Sequence, residues 1–147
     1  MRFGRLLTAA LAALALAGCA GPGGGASSMG PNKVVYHLSE GLPQATNGLR
    51  NINNQLEVDP TAKIVVVSHA LGVDFMMKGA KDVNGNKYED LVEQLVQRGV
   101  QFDVCEITLR NRKLTRDQFI SYSTFVPSGV AEITRLQQKE GFAYLKP

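Results

Sequence analysis

Two histidines and one cysteine stand at the ends of predicted β-strands, where a folded chain can carry chemistry. His37 lies near the end of the first predicted strand, His69 follows the second, and Cys105 closes the third. In open parallel sheets, sites form beyond the carboxyl ends of the strands. A cysteine thiolate is a nucleophile, and an imidazole can move protons near neutral pH. The sequence therefore predicts a thiol-based site at this edge, with Cys105 and His69 as its catalytic residues.

Each of these residues also has a purely structural interpretation. An isolated cysteine at a strand end is often a small buried hydrophobe, and a lone histidine is often only a hydrogen-bonded structural group. The functional interpretation needs cations or helix N-termini near the sulfur. The candidates are His69, the start of a predicted helix at Pro127–Gly129, and a basic loop at Arg110–Lys113. We predict that Cys105 is partly exposed and that its thiol pKa lies below the ordinary value.

Metal and cofactor chemistry finds little support in the sequence. Cys105 together with His37 or His69 could bind Cu(I) or Zn(II), but these three residues have no spacing typical of a metal site. The chain contains no Cys-x-x-Cys pair for dithiol chemistry and no glycine fingerprint for phosphate binding. We therefore predict neither a metal nor a cofactor.

Apolar spacings and turn residues divide the chain after residue 32 into alternating strands and helices. The predicted strands are Lys33–Leu38, Lys63–Ser68, Val100–Cys105, Ser123–Val126 and Phe142–Leu145. The predicted helices cover Leu42–Leu56, Gly72–Ala80, Tyr88–Val96, a short segment after Leu114, and Val130–Leu136. Such alternation predicts an α/β fold in which helices cover both faces of a parallel sheet.

Polar residues ahead of three helices predict where these helices begin. Asn86 with Glu89 three positions later resembles a capping box. Thr115 and Ser128 are the other predicted N-caps, since their hydroxyls can accept from free backbone N–H groups.

The N-terminus has the pattern of a bacterial lipoprotein export signal. Arg2 and Arg5 precede the apolar run Leu6–Ala17, which is too short to span a bilayer as a helix. The run ends in Leu-Ala-Gly-Cys at Cys19, which resembles a lipobox. We predict a signal peptide at 1–18, a lipidated Cys19 and glycine-rich tether at 19–32, and one α/β domain at 33–147. Ala20 favours the outer membrane over the inner one.

Charge and cysteine content narrow the function classes further. The chain has 16 Lys and Arg residues against 13 Asp and Glu residues, and loss of Arg2 and Arg5 leaves 14 against 13. This balance does not suggest nucleic-acid binding. With Cys19 lipidated, Cys105 is the one cysteine left in an exported domain, where thiols are usually paired. Cys105 is thus buried and inert, paired with another molecule, or reactive.

Four segments carry a resemblance to the DsrE/DsrF-like family. They are Asp59–Val67, Val104–Leu109, Val126–Ile133 and Gly141–Pro147. The resemblance implies a three-layer α/β/α fold around a parallel sheet of about five strands. It also implies assembly into homo-oligomers and a sulfur-carrier function, in which Cys105 takes a sulfane sulfur as a persulfide and passes it to a partner protein.

Two functions remain open from the sequence. The first is a sulfur-relay protein of the cell envelope that uses Cys105. The second is a non-catalytic envelope module for binding or assembly, with a small anion or a soft metal held at the same edge. For assembly, we expect the apolar segment Phe119–Phe125 to contribute surface.

Overall fold

The computed structural model describes residues 30–147, so the predictions for the leader, Cys19 and most of the tether lie outside the described residues. The elements follow one another as strands and helices. The strands are β1 (Lys33–Leu38), β2 (Lys63–Ser68), β3 (Gln101–Cys105), β4 (Ser123–Val126) and β5 (Ala143–Leu145). The helices are α1 (Gly41–Val58), α2 (Tyr88–Gln97), α3 (Glu106–Arg112) and α4 (Gly129–Glu140), with 3₁₀ segments at Ala70–Met76 and Arg116–Gln118.

The five strands form one parallel sheet in the order β4-β3-β2-β1-β5. The apolar run of β2 takes the central position, where both faces of the sheet are covered. This arrangement confirms the predicted α/β fold. It also brings the carboxyl ends of β1, β2 and β3 to one edge, so the three candidate residues meet there.

Helices cover the two faces unequally. On one face, α1 and α2 pack over the larger core cluster, and α1 contributes the stripe Ala45, Leu49, Ile52 and Leu56. On the other face, α4 packs over Val35, Val65 and Val67 with its residues Ile133 and Leu136. Each fully buried side chain of this size contributes about 1.5–3 kcal/mol to stability. These two clusters fix the sheet edge that carries the site.

Two of the predicted helix starts are confirmed and one is wrong. Ser128 accepts from the N–H of Ala131, and Thr115 forms a capping box with Gln118. By contrast, α2 begins after Lys87 without a side-chain cap, and the side chain of Asn86 donates to Asp82. The carboxylate of Asp82 also accepts from two nearby backbone N–H groups. This local turn competes with capping and holds Asn86 away from the helix.

Two further predictions need correction. The segment expected to be a basic loop at Arg110–Lys113 belongs mainly to α3, which starts directly after Cys105 and ends where Lys113 adopts a left-handed φ of 56°. The apolar segment Phe119–Phe125 does not form a continuous surface for assembly. Phe119 and Ile120 are 3% and 2% exposed because they complete the core of the same chain.

Within residues 30–147, no helix combines the length and hydropathy that crossing a membrane requires.

Candidate functional site

Cys105 is both the last residue of β3 and the residue that caps the N-terminus of α3. The strand places its side chain on the α4 face of the sheet, together with Asp103 two positions earlier. The start of α3 then turns free backbone N–H groups back toward the sulfur. Cys105 is 4% exposed, so the prediction of a partly exposed residue is wrong.

Opposing effects of burial and of nearby polar groups set the pKa of the Cys105 thiol. Burial raises the pKa of the thiol, but the backbone N–H groups of Gly129, Thr108 and Ile107 and the hydroxyl of Thr108 together outweigh burial. The pKa of Cys105 therefore lies below its ordinary value, in the direction that the sequence predicted. The stabilising groups are mostly backbone dipoles, which cost no reorganisation when the thiolate reacts.

Thr108 connects the cysteine to the loop after β2. Its hydroxyl oxygen accepts from the N–H of Ala70 at 2.9 Å, and the same hydroxyl is one of the groups that lower the pKa of the Cys105 thiol. Ala70 has a φ of 51°, a left-handed conformation that is strained for a residue with a side chain. Arg112 supports this strained residue by donating to the carbonyl of Ala70 at 2.9 Å and to Asp74 at 2.6 Å. The loop that carries His69 is therefore held by α3 itself.

Two glycines allow the close approaches at this edge. A Cβ at Gly72 would lie 2.2 Å from the carbonyl oxygen of Leu38, so the loop after His69 requires glycine there. A Cβ at Gly129 would lie 3.2 Å from the Cβ of Cys105 and 3.3 Å from that of His69. The first residue of α4 therefore sits between the two predicted catalytic residues.

His37 and His69 form a direct hydrogen bond. The Nε2 atoms of the two rings are 2.6 Å apart, and the Nδ1 of His37 lies 2.7 Å from the hydroxyl oxygen of Tyr144. Tyr144 belongs to β5, which pairs with β1 at the edge of the sheet. The structure thus joins the two histidines of this edge to a third group, a tyrosine at the surface.

Both imidazoles favour the neutral form. Burial lowers the pKa of His37, and His69 and Lys146 lower it further against a raising effect of Glu40. Burial and then Lys146 lower the pKa of His69. Lys146 itself forms an ion pair with Glu40 at 2.5 Å, beside the imidazoles.

A groove of about 420 Å³ opens above the cysteine. Its lining includes His69, Cys105, Thr108 and Arg112. Apolar side chains stand around its mouth, of which Leu71 is 56%, Ile107 39% and Val130 59% exposed. The groove therefore gives the buried sulfur an opening to solvent, bordered by apolar surface.

The structure also bears on metal binding at this edge and on the basic residues expected near the sulfur. Within residues 30–147, no three His, Cys, Asp or Glu residues are arranged to hold a metal ion. The close Nε2 contact of His37 and His69 points these nitrogens at each other instead. The basic residues Arg110–Lys113 are not among the groups that lower the pKa of the Cys105 thiol, and Arg112 is engaged with Ala70 and Asp74.

Asp103 is a buried carboxyl group beneath α4, on the same strand face as Cys105. It is fully buried, its Oδ1 accepts from Gln101 at 2.7 Å, and its Oδ2 has no partner within the described residues. Burial raises the pKa of Asp103 to about 6, although the bond from Gln101 opposes this shift.

Sequence reasoning missed three contributors to the site. Thr108 follows Cys105 by three residues, the spacing at which a side chain in the first turn of a helix reaches back to its cap, but this needs α3 to be recognised. Ala70 gives no sequence indication of its strained backbone. Tyr144 is remote in sequence from both histidines and meets them only through the pairing of β5 with β1.

Comparison with known proteins shows the family of the chain. Residues 25–147 match the DsrE/DsrF-like family. The chain therefore belongs to the DsrE/DsrF-like family, whose members are linked to sulfur relay.

Two solved structures share the fold. A protein of unknown function from Methanobacterium thermoautotrophicum is 29% identical, with a TM-score of 0.70, over 79% of this chain and 99% of that one. The ychN protein from E. coli is 16% identical, with a TM-score of 0.63, over 81% of this chain and all of that one. Among proteins of curated function, none matches this chain.

Proposed function

We propose that this protein is a sulfur carrier of the cell envelope, which accepts sulfane sulfur as a persulfide on Cys105 and passes it to a partner. The observation that carries the proposal is the position of Cys105, at the N-cap of α3 and against Gly129 at the start of α4. The backbone N–H groups of these two helix starts favour the thiolate, and the thiolate is the form that attacks sulfane sulfur. Membership of the DsrE/DsrF-like family supports the same chemistry.

The transfer step needs no external oxidant or reductant. The Cys105 thiolate attacks the outer sulfur of a donor persulfide, the S–S bond of the donor breaks, and the donor thiolate leaves with the electron pair. Cys105 then carries the persulfide, and the same step in reverse on an acceptor thiolate delivers the sulfur. His69 lines the same groove and is the proton-transfer residue in this proposal.

A protein partner is part of this function, because the sulfur lies buried beneath the groove. The exposed side chains of Leu71, Ile107 and Val130 offer an apolar border against which a donor or acceptor protein can pack. We also propose that the protein is a homo-oligomer, as the family resemblance implies. Light scattering of the full chain at micromolar concentration tests this, and a monomer mass would contradict it.

The envelope location rests on the leader sequence. In this proposal Cys19 carries the lipid, the glycine-rich tether leads to the folded domain, and the domain acts on the periplasmic side of the outer membrane. A sulfur carrier in the periplasm differs from one in the cytoplasm, because the periplasm is an oxidising compartment for thiols. A persulfide on a cysteine that is 4% exposed is shielded from such oxidation.

Intact-mass measurement tests the sulfur-carrier function. Cys19→Ser leaves Cys105 as the single thiol of the chain. After incubation with thiosulfate, polysulfide or a small-molecule persulfide, this variant should gain the mass of one sulfur atom, and dithiothreitol should remove it. The double variant with Cys105→Ser is the control and should gain nothing. No added mass with any of the three donors would contradict the proposal.

A binding module is the second candidate, favoured by the burial of Cys105 beneath an apolar groove. In that function the groove holds a ligand or a partner segment and the thiol takes no sulfur. A chain that gains no sulfur mass and alkylates slowly at neutral pH would support this function over the first.

A further inference from the structure

Three hydrogen-bonding groups run from the groove of Cys105 to the protein surface. His69 lines the groove, its Nε2 bonds to the Nε2 of His37, and the Nδ1 of His37 bonds to the hydroxyl of Tyr144. The two histidines are half-buried, whereas Tyr144 is 42% exposed. The chain of bonds therefore has one end at the candidate site and the other at solvent.

The bond between the two Nε2 atoms restricts the tautomers of both rings. One Nε2 must carry a proton and the other must accept it. If His37 donates, its Nδ1 accepts from Tyr144 and His69 carries its proton on Nδ1. If His69 donates, the Nδ1 of His37 carries a proton and donates to the oxygen of Tyr144. In both arrangements the neutral rings hold opposite tautomers, and the two arrangements differ by the shift of one proton at each bond.

The surroundings of His37 and His69 disfavour a positive charge on either imidazole. The charged or titratable groups that face the two imidazoles are Glu40 after β1, Tyr144 and Lys146 on and after β5, and Cys105 at the end of β3. Burial, the neighbouring ring and Lys146 lower the pKa of His37, and burial and Lys146 lower that of His69. When the protons shift along all the hydrogen bonds together, both rings stay neutral and no unfavourable imidazolium forms.

We propose that Tyr144 and His37 are positioning residues of a proton relay that ends at His69 in the groove of Cys105. This inference rests on the proposed sulfur-carrier function and adds the source of the proton that the leaving thiolate takes up. Tyr144 exchanges protons with solvent, His37 transmits them, and the Nδ1 of His69 gives or takes them in the groove.

The relay supplies the proton that the leaving thiolate takes up in the transfer step. When the Cys105 thiolate takes the outer sulfur of a donor R–S–SH, the leaving R–S⁻ receives the Nδ1 proton of His69 and departs as R–SH. His69 then takes a proton at Nε2 from His37, His37 takes one at Nδ1 from Tyr144, and Tyr144 takes one from solvent. The products are the Cys105 persulfide and a neutral thiol, and the reverse sequence resets the chain of bonds.

Nitrogen NMR tests the relay without any sulfur chemistry. The sequence has two histidines, so ¹⁵N-histidine labelling of the full chain, purified without a histidine tag, shows four ring nitrogens. We expect His37 and His69 to hold opposite tautomers and Tyr144→Phe to change the tautomer populations of both rings together. Tyr122→Phe, which removes a hydroxyl that donates to Glu93 elsewhere in the fold, is the matched control. Identical tautomers in the two rings, or tautomers unaffected by Tyr144→Phe, would overturn the relay.

A comparison of two electrophiles tests the role of the relay in transfer, in the Cys19→Ser background. Iodoacetamide releases iodide, which needs no proton, whereas a small-molecule persulfide releases a thiolate. Tyr144→Phe should slow persulfide transfer by about tenfold or more, as expected when general acid catalysis is weakened, and leave alkylation unchanged. Equal effects on both rates would indicate a merely structural role and overturn the relay. If the unaltered site takes no sulfur at all, the proposed function fails, and the NMR result alone decides whether the relay exists.

Discussion

Gly129, the first residue of α4, packs directly against Cys105, and the absence of a side chain at Gly129 is what allows this close approach. A Cβ there would lie 3.2 Å from the Cβ of Cys105. The start of α4, on one face of the sheet, and the start of α3, at the end of β3, thus converge on a single sulfur atom. Two helix starts stabilise a thiolate better than either does alone, because each supplies N–H groups without an internal partner.

Gly129→Ala is expected to raise the pKa of the Cys105 thiol and to lower the free energy of unfolding by about 1–3 kcal/mol. The new methyl group would press on the side chains of Cys105 and His69 and push the start of α4 away from the sulfur. Alkylation rates against pH and denaturant unfolding measure the two effects. Ala131→Ser, an exposed change in the same turn of α4, is the control. If Gly129→Ala leaves the thiol pKa unchanged, Gly129 does not stabilise the thiolate.

Asp103 should make the protein less stable as the pH rises. Its pKa is about 6 in the folded protein, against an ordinary value of 3.8. Between these values the unfolded chain has lost a proton that the folded protein still holds, so the free energy of unfolding falls as the pH rises from about 4 to about 6. A shift of about two pKa units corresponds to about 3 kcal/mol.

Asp103→Asn is expected to remove this pH dependence, because an amide does not titrate. Denaturant unfolding at a series of pH values measures the slope. Asp90→Asn, on the exposed side of α2, is the matched control and should keep the slope of the unaltered chain. A slope that persists in Asp103→Asn would show that another group causes it.

Local patterns in the sequence predicted the fold and the sheet edge that carries the candidate site. The apolar run of β2 and the helical spacing of α1 predicted the alternation of strands and helices, and parallel strands then bring His37, His69 and Cys105 to one edge. The leader pattern around Cys19 is equally local.

The features of the site that the sequence did not predict depend on a short helix or on contacts between residues remote in sequence. The seven residues of α3 are mostly polar and too few to show a helical period, so the capping position of Cys105 was not evident. The left-handed backbone of Ala70 is imposed by Thr108 and Arg112 from another element. Tyr144 reaches His37 only across the β1–β5 pairing.

Cys19→Ser should abolish lipid labelling and release the chain from membranes. The lipid is the anchor predicted from the lipobox, and one thioether-linked lipid with its acyl chains is enough to hold a protein on a bilayer. Metabolic labelling with a fatty acid and membrane fractionation measure the outcome, with Cys105→Ser as the matched control. Continued labelling and membrane association of Cys19→Ser would show that the lipoprotein prediction is wrong.

Thr108→Val should raise the pKa of Cys105 and lower the free energy of unfolding by about 0.5–1.5 kcal/mol. The isosteric valine removes the hydroxyl that lowers the thiol pKa and leaves the N–H of Ala70 without its acceptor. Thr108→Ser retains the hydroxyl and is the control. Thiol titration and denaturant unfolding separate the two consequences, and equal thiol pKa values in both variants would contradict the role of the hydroxyl.

The rate of Cys105 alkylation against pH shows whether the thiol is reactive at neutral pH. In the Cys19→Ser chain, where Cys105 is the single thiol, the midpoint of the rate profile gives the thiol pKa. We predict a midpoint below the ordinary value of about 8.5 and substantial reaction at about pH 7, because nearby backbone N–H groups and the Thr108 hydroxyl lower the thiol pKa and the groove borders the sulfur. A profile that stays flat and slow at about pH 7 and rises only above about pH 9 would contradict the account.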